Sequence, residues 1–139
     1  MSRIGLWILV LGMATVATGT SAQTAPSAVS AWVAAPQTGA TWASAYVELK
    51  NPGMYDVFVV SATTDAAASV ELRAAGKPGG EPAVVAEFTV PAYGSVEAAP
   101  TAPHLRLVGL TRSLAVGDTV SLMLKTDGGE SLRVSATVR

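Results

Sequence analysis

His104 is the only histidine in this sequence, and there is no cysteine. With thiolates absent, the soft-metal donors available are the His104 imidazole and methionine thioethers. Zero cysteine also removes thiol redox chemistry and cysteine nucleophiles. Arg106 stands two residues beyond His104, and that spacing on a strand puts both side chains on one face. An imidazole beside a guanidinium suits a carboxylate or phosphate, because the planar arginine fork pairs with either. Other chemistry has little to build on. No Ser-His-Asp spacing can be defended and H-E-x-x-H is absent. Gly76-Lys77-Pro78-Gly79-Gly80 lacks the order of a P-loop and the helix that would follow it. Asp56, Asp65 and Asp118 fall in or near turns, where aspartate bonds the backbone. The chain is expected not to be an enzyme.

The elements that must position these residues read as strands. Trp42 to Lys50 alternates, with Ala43, Ala45, Val47 and Leu49 on one face and Ser44, Glu48 and Lys50 on the other. Val57 to Thr63 is β-branched. Ser69 to Arg73 turns Val70 and Leu72 inward. Val84 to Val90, Ser95 to Ala98 and His104 to Val108 follow, then Thr119 to Thr126 and Ser131 to Val138. Period-two alternation of this kind predicts half-buried strands. Asn51-Pro52-Gly53, Lys77-Pro78-Gly79-Gly80, Pro91-Ala92-Tyr93-Gly94, Gly117-Asp118 and Asp127-Gly128-Gly129 punctuate them as turns. Short strands spaced by turns predict a single all-β domain, a sandwich or barrel. The Ala62 to Ser69 piece has room for one helical turn at most. Trp32, Trp42, Tyr46 and Phe88 lie on strands or at their ends, as core or sheet-face packing.

Residues 1–22 read as a signal peptide: Arg3, the apolar run Ile4 to Val16, then small residues through Thr20-Ser21-Ala22. The run is too short for a comfortable membrane span, which needs about 20 residues. No cysteine follows it to take a lipid. Residues 23–30 read as a flexible tether and 31–139 as the folded domain. Without Arg3 the chain keeps eight Lys and Arg against ten Asp and Glu, a net charge of −2. That balance points away from nucleic acid and from an anionic membrane surface. Periplasmic or secreted localisation follows, with no membrane span after cleavage. Stability must come from the apolar core, without disulfides.

Several pieces, in order, resemble one family. Ala31-Trp32 resembles an opening A-W. Gly39-Ala40, Ala45-Tyr46 and Asn51 resemble G-x-x-x-A-Y-x-x-x-x-N. Val70-Glu71-Leu72-Arg73 resembles V-E-L-H. The stretch Phe88 to Leu110, FTVPAYGSVEAAPTAPHLRLVGL, matches without a gap a segment that runs roughly I-P-A-G-G-x-V-x-L-x-P-G-G-x-H-x-M-L-x-G-L. Leu114 to Leu122 resembles L-x-x-G-D-x-V-x-L. These are the motifs of the periplasmic copper chaperone family called PCuAC. The resemblance implies a cupredoxin-like or immunoglobulin-like Greek-key β-sandwich that holds Cu(I). It implies delivery of copper to respiratory oxidase assembly, with copper-donating or copper-receiving periplasmic proteins as partners.

The family pattern takes its copper ligands from a His after V-E-L, a Met about ten residues later, and a His-x-Met. Here the first position is Arg73, and no Met occurs from Tyr55 to Leu122. The last pair reads His104-Leu105-Arg106. Only His104 is kept as a metal ligand, and the site looks degenerate. The soft donors elsewhere in the mature chain are Met54, in a turn, and Met123, facing away from Leu122 and Leu124. If the family geometry holds, Arg73, His104 and Arg106 converge, which suggests the alternative of a non-metal module that recognises a partner protein or small anion.

Overall fold

The computed structural model describes residues 25–75 and 83–139. Residues 1–22, read above as a signal peptide, the stretch 77–80, read as a turn, and Glu81 lie outside the described residues. Ten strands follow in chain order: β1 Ser27–Val33, β2 Trp42–Asn51, β3 Val57–Thr64, β4 Ala67–Arg73, β5 Val84–Val85, β6 Phe88–Val90, β7 Gly94–Val96, β8 His104–Leu110, β9 Thr119–Thr126 and β10 Ser131–Val138. The described residues contain no helix.

The strands form one sheet, in the order β5-β4-β8-β2-β1-β10-β9-β3-β6, with β7 paired to the end of β2. All pairings are antiparallel except β1 with β10. The two strands at the ends of this order, β5 and β6, are separated in sequence by only Ala86 and Glu87. The sheet therefore curls until its ends nearly meet. The layers expected of a sandwich are two halves of one almost closed barrel around a single core.

Alternation explains the core. Ala43, Ala45, Val47 and Leu49 of β2 are buried, as are Leu105 and Leu107 of β8, and Val120, Leu122 and Leu124 of β9. Each fully buried Leu or Val contributes about 1.5–3 kcal/mol relative to exposure. In β3 the inward parity changes, because a register shift between Val59 and Ser61 moves burial from Val59 to Ala62.

Two expectations are corrected. Residues 27–30, read as tether, belong to β1, which pairs from Ser27↔Lys50 onward. Their small side chains hide the strand, since an alternation of Ala and Ser carries little hydropathy contrast. The strand expected over Val84 to Val90 is two strands: β5 extends β4, and β6 crosses to β3.

The turns do what the sequence suggests. Asp56 Oδ1 accepts from Ala92 N at 2.9 Å, Asp65 Oδ1 from Ser121 N at 3.3 Å, and Asp118 Oδ2 from Ala115 N at 2.9 Å. Asn51 is 2% exposed and ties two turns together. Its Nδ2 donates to Tyr55 O at 2.8 Å and Val90 O at 3.0 Å, and its Oδ1 accepts from Gly53 N at 3.0 Å. Tyr93 adopts φ +54°, and a Cβ on Gly94 would lie 2.8 Å from Pro91 Cγ. The P-A-Y-G stretch is thus fixed by sterics, independently of any site.

Candidate functional site on the outer face of β1, β2, β8 and β4

Leu105 and Leu107 point into the core, so His104 and Arg106 must point outward. The sheet order places β8 between β2 and β4. Register does the rest. Trp32 of β1 pairs with Tyr46 of β2, and Arg73 of β4 pairs with His104 of β8. The Trp32 and Tyr46 rings lie 4.5 Å apart, and the Tyr46 and His104 rings 5.1 Å apart. Trp32, Tyr46, His104 and Arg73 therefore form one row across four strands. A second row, one step along, holds Ser44, Arg106 and Glu71.

The first row is covered although it faces away from the core: Tyr46, Arg73 and His104 are all buried. Trp32 Nε1 donates to Ala98 O at 2.9 Å, which draws the segment before β8 against this face. His104 Nδ1 lies 2.8 Å from Ala102 O. A carbonyl only accepts, so Nδ1 carries a proton, and the neutral tautomer with that proton has its lone pair on Nε2. Among the described residues Nε2 has no hydrogen-bond partner. Metal-binding histidines use this same arrangement, one nitrogen tied to a carbonyl and the other left for the ion.

The two arginines are not bland surface residues. Arg73 is 8% exposed, and its guanidinium meets Glu71 Oε1 at 2.6 Å. That carboxylate balances the cation beside the imidazole. Arg106 turns the other way and lies over Trp42, its Cζ 4.1 Å from the ring centre. The structure thus brings Arg73 and His104 together but commits the Arg106 head group to the indole. Sequence reasoning missed Glu71 as the counter-charge and Trp42 as the platform. Strand parity was the available signal, since Glu71 shares it with Arg73, and Trp42 with Ser44 and Tyr46.

Among the described residues no second soft donor stands near His104. Met123 lies on β9, between Thr63 and Arg133 of its neighbouring strands, on the far side of the barrel. Met54 is 62% exposed beyond the end of β2. From Tyr46 to Asn51 alone the strand advances about 17 Å. Among the described residues no group of three or more His, Cys, Asp or Glu is placed to hold a metal ion. No helix among them is long and apolar enough to cross a membrane. Among the described residues one imidazole is the whole offer to a soft metal in this region.

Residues 27–138 match the family model described as "Putative lipoprotein LpqE-like". A protein of Leifsonia xyli subsp. xyli (strain CTCB07), "Putative lipoprotein Lxx21020", is 34% identical over 112 residues, 78% of this chain and 66% of that protein. The match thus spans just under two thirds of that relative's length. Among solved structures, Cu(I)-DR1885 from Deinococcus radiodurans is 34% identical with a TM-score of 0.69, covering 88% of this chain and 85% of that one. The copper-bound PCuAC domain from PmoF2 has the same fold at a TM-score of 0.69 and 21% identity, covering 82% of this chain and 90% of that one. The full-length motif order, the one-sheet barrel and these matches converge: the chain belongs to the LpqE-like family, and its domain is of the PCuAC kind.

Proposed function

We propose that this chain is an exported, non-enzymatic binding domain of the copper-chaperone type, with Cu(I) as cargo and His104 Nε2 as its own donor. The observation that carries this reading is the 2.8 Å contact between Nδ1 and Ala102 O, which leaves Nε2 as the nitrogen with the lone pair. It gains support from the 34% identity to a protein solved with Cu(I). The Glu71 carboxylate at 2.6 Å from Arg73 lowers the cost of a cation beside that arginine. A single imidazole binds Cu(I) weakly, so the remaining donors come from the protein that gives or takes the metal. Occupancy then rises with the concentration of both proteins. Periplasmic copper donors and acceptors, including factors of respiratory oxidase assembly, are the partners in this reading. His104 is 4% exposed, so the approach to it is narrow. Export is supported by the apolar run at Ile4 to Val16 and by relatives named as lipoproteins.

The test is a Cu(I) titration of the Gln23–Arg139 protein under reducing conditions, against a coloured chelator and with the His104 ring followed by NMR. The expected result is no stoichiometric capture from a tight chelator, together with a shift of the His104 ring signals under excess Cu(I). His104→Ala removes that response. A ring that stays unmoved at excess Cu(I) overturns the copper reading.

A second reading is favoured by Arg73 and Arg106 standing where the resemblance expects ligands: a non-metal module that recognises a partner protein or small anion through this face. It requires an anion-dependent rise in melting temperature that Arg73→Gln abolishes.

A further inference from the structure

Trp32 meets His104 by two routes. The first is a stack: Tyr46 lies between them, its ring centre 4.5 Å from the indole and 5.1 Å from the imidazole. The second is the strap of residues 97–103 between β7 and β8. Its Ala98 O accepts from Trp32 Nε1 at 2.9 Å, and its Ala102 O accepts from His104 Nδ1 at 2.8 Å. Between those carbonyls the backbone closes a tight turn, with Ala102 N donating to Ala99 O at 3.0 Å. Pro100 takes the second position of that turn, where its ring presets φ. Pro103 restricts Ala102 from the other side. The two carbonyls are thus joined by stiff chain, and fixing Ala98 fixes the place of Ala102 O. Among the described residues these are the only side-chain hydrogen bonds that hold the strap to the strands beneath.

We propose that Trp32 is a positioning residue for the imidazole. Its N–H, acting through the strap, holds Ala102 O against Nδ1 and so keeps Nε2 as the nitrogen with the lone pair. The stack sets the plane of the ring, but only a directed acceptor selects which nitrogen is protonated. Without the Trp32 bond the strap loosens, and the ring divides its proton between the two nitrogens. The inference deepens the copper reading, which supplies its purpose because Nε2 is the donor there. The tautomer itself is present with or without a metal.

The experiment reads both ring nitrogens of metal-free, ¹⁵N-labelled Gln23–Arg139 protein in a long-range ¹H–¹⁵N spectrum, at about pH 8, where an ordinary imidazole is neutral. The chain has one histidine, so the ring signals need no assignment once any purification tag is removed. Wild type is expected to carry its proton on Nδ1. Trp32→Phe keeps a ring against Tyr46 and deletes the N–H. It is expected to lower the ratio of Nδ1–H to Nε2–H about fivefold, the worth of one hydrogen bond, and to speed exchange of the Nδ1 proton with water by a similar factor. Pro100→Gly leaves the Trp32 N–H in place, loosens the turn, and moves both readouts the same way. Trp42→Phe, the same change elsewhere on this face, moves neither. The proposal is overturned if wild type carries its proton on Nε2, or if a folded Trp32→Phe keeps the wild-type ratio and exchange. It is equally overturned if Trp42→Phe shifts them as much, or if Pro100→Gly leaves both unchanged, which assigns control of the ring to the stack. Pro100 is exposed, so its variant decides the matter should Trp32→Phe not fold. Failure of the copper reading looks different: excess Cu(I) then leaves the wild-type ring unmoved, while the metal-free variants still differ in tautomer.

Discussion

Asn51 and His104 are both polar, both nearly inaccessible, and both mark motifs shared with the PCuAC family, yet the structure treats them differently. Around Asn51 the accounts close: its amide donates to two carbonyls and accepts from one backbone N–H. Around His104 they stay open, with Nε2 and the Arg106 guanidinium making no hydrogen bond to the described residues. Buried polar groups are ordinarily satisfied, and exceptions point to a use. The closed cluster ties two turns together, whereas the open one supplies, in the function proposed above, the donor for a group from outside the chain.

The sharpest way to break this comparison is Asn51→Ala. It strands Tyr55 O, Val90 O and Gly53 N together, and the expected loss is about 3 kcal/mol in urea unfolding. A loss below about 1 kcal/mol means that water replaces the amide and the cluster is not the tie described above. Next comes the double variant Arg73→His, Arg106→Met. It faces a second imidazole across the strands from His104 and puts a thioether two residues away on the same face. Cu(I) affinity is expected to rise at least about a hundredfold over wild type, read by chelator competition. An unchanged affinity means that the outer face cannot assemble a site even with the right donors. The smallest effect is expected from Glu71→Gln, which leaves the Arg73 guanidinium without its carboxylate. Glu71 is 35% exposed on its side chain, so solvent screens the loss to about 1 kcal/mol of stability. A stabilised variant contradicts the counter-charge role given to Glu71.

The inward face was legible in the sequence. Alternation located β2, β9 and β10 almost to the residue, because Val and Leu contrast with Ser, Thr and Lys along them. It failed at β1, where Ala and Ser give no contrast, and at Ala86–Glu87, where a strand changes partner without a turn signal. The candidate site was only half legible. Parity put His104 and Arg106 on one face, but the pairing of Arg73 with His104 depends on register between β4 and β8, which a one-residue slip would have inverted. The direction taken by Arg106 depends on a half-exposed indole one strand away, and no pattern along a single strand encodes that.

The parallel pairing of β1 with β10 joins Trp32 to Thr137 and Val33 to Val138. The first strand in the described chain is therefore completed by the last. A chain emerging N-terminus first cannot finish its sheet until residues 137 and 138 have arrived. Such non-local closure makes folding slow and late. For an exported chain, as proposed above, this topology leaves the sheet unclosed until its final described strand has arrived.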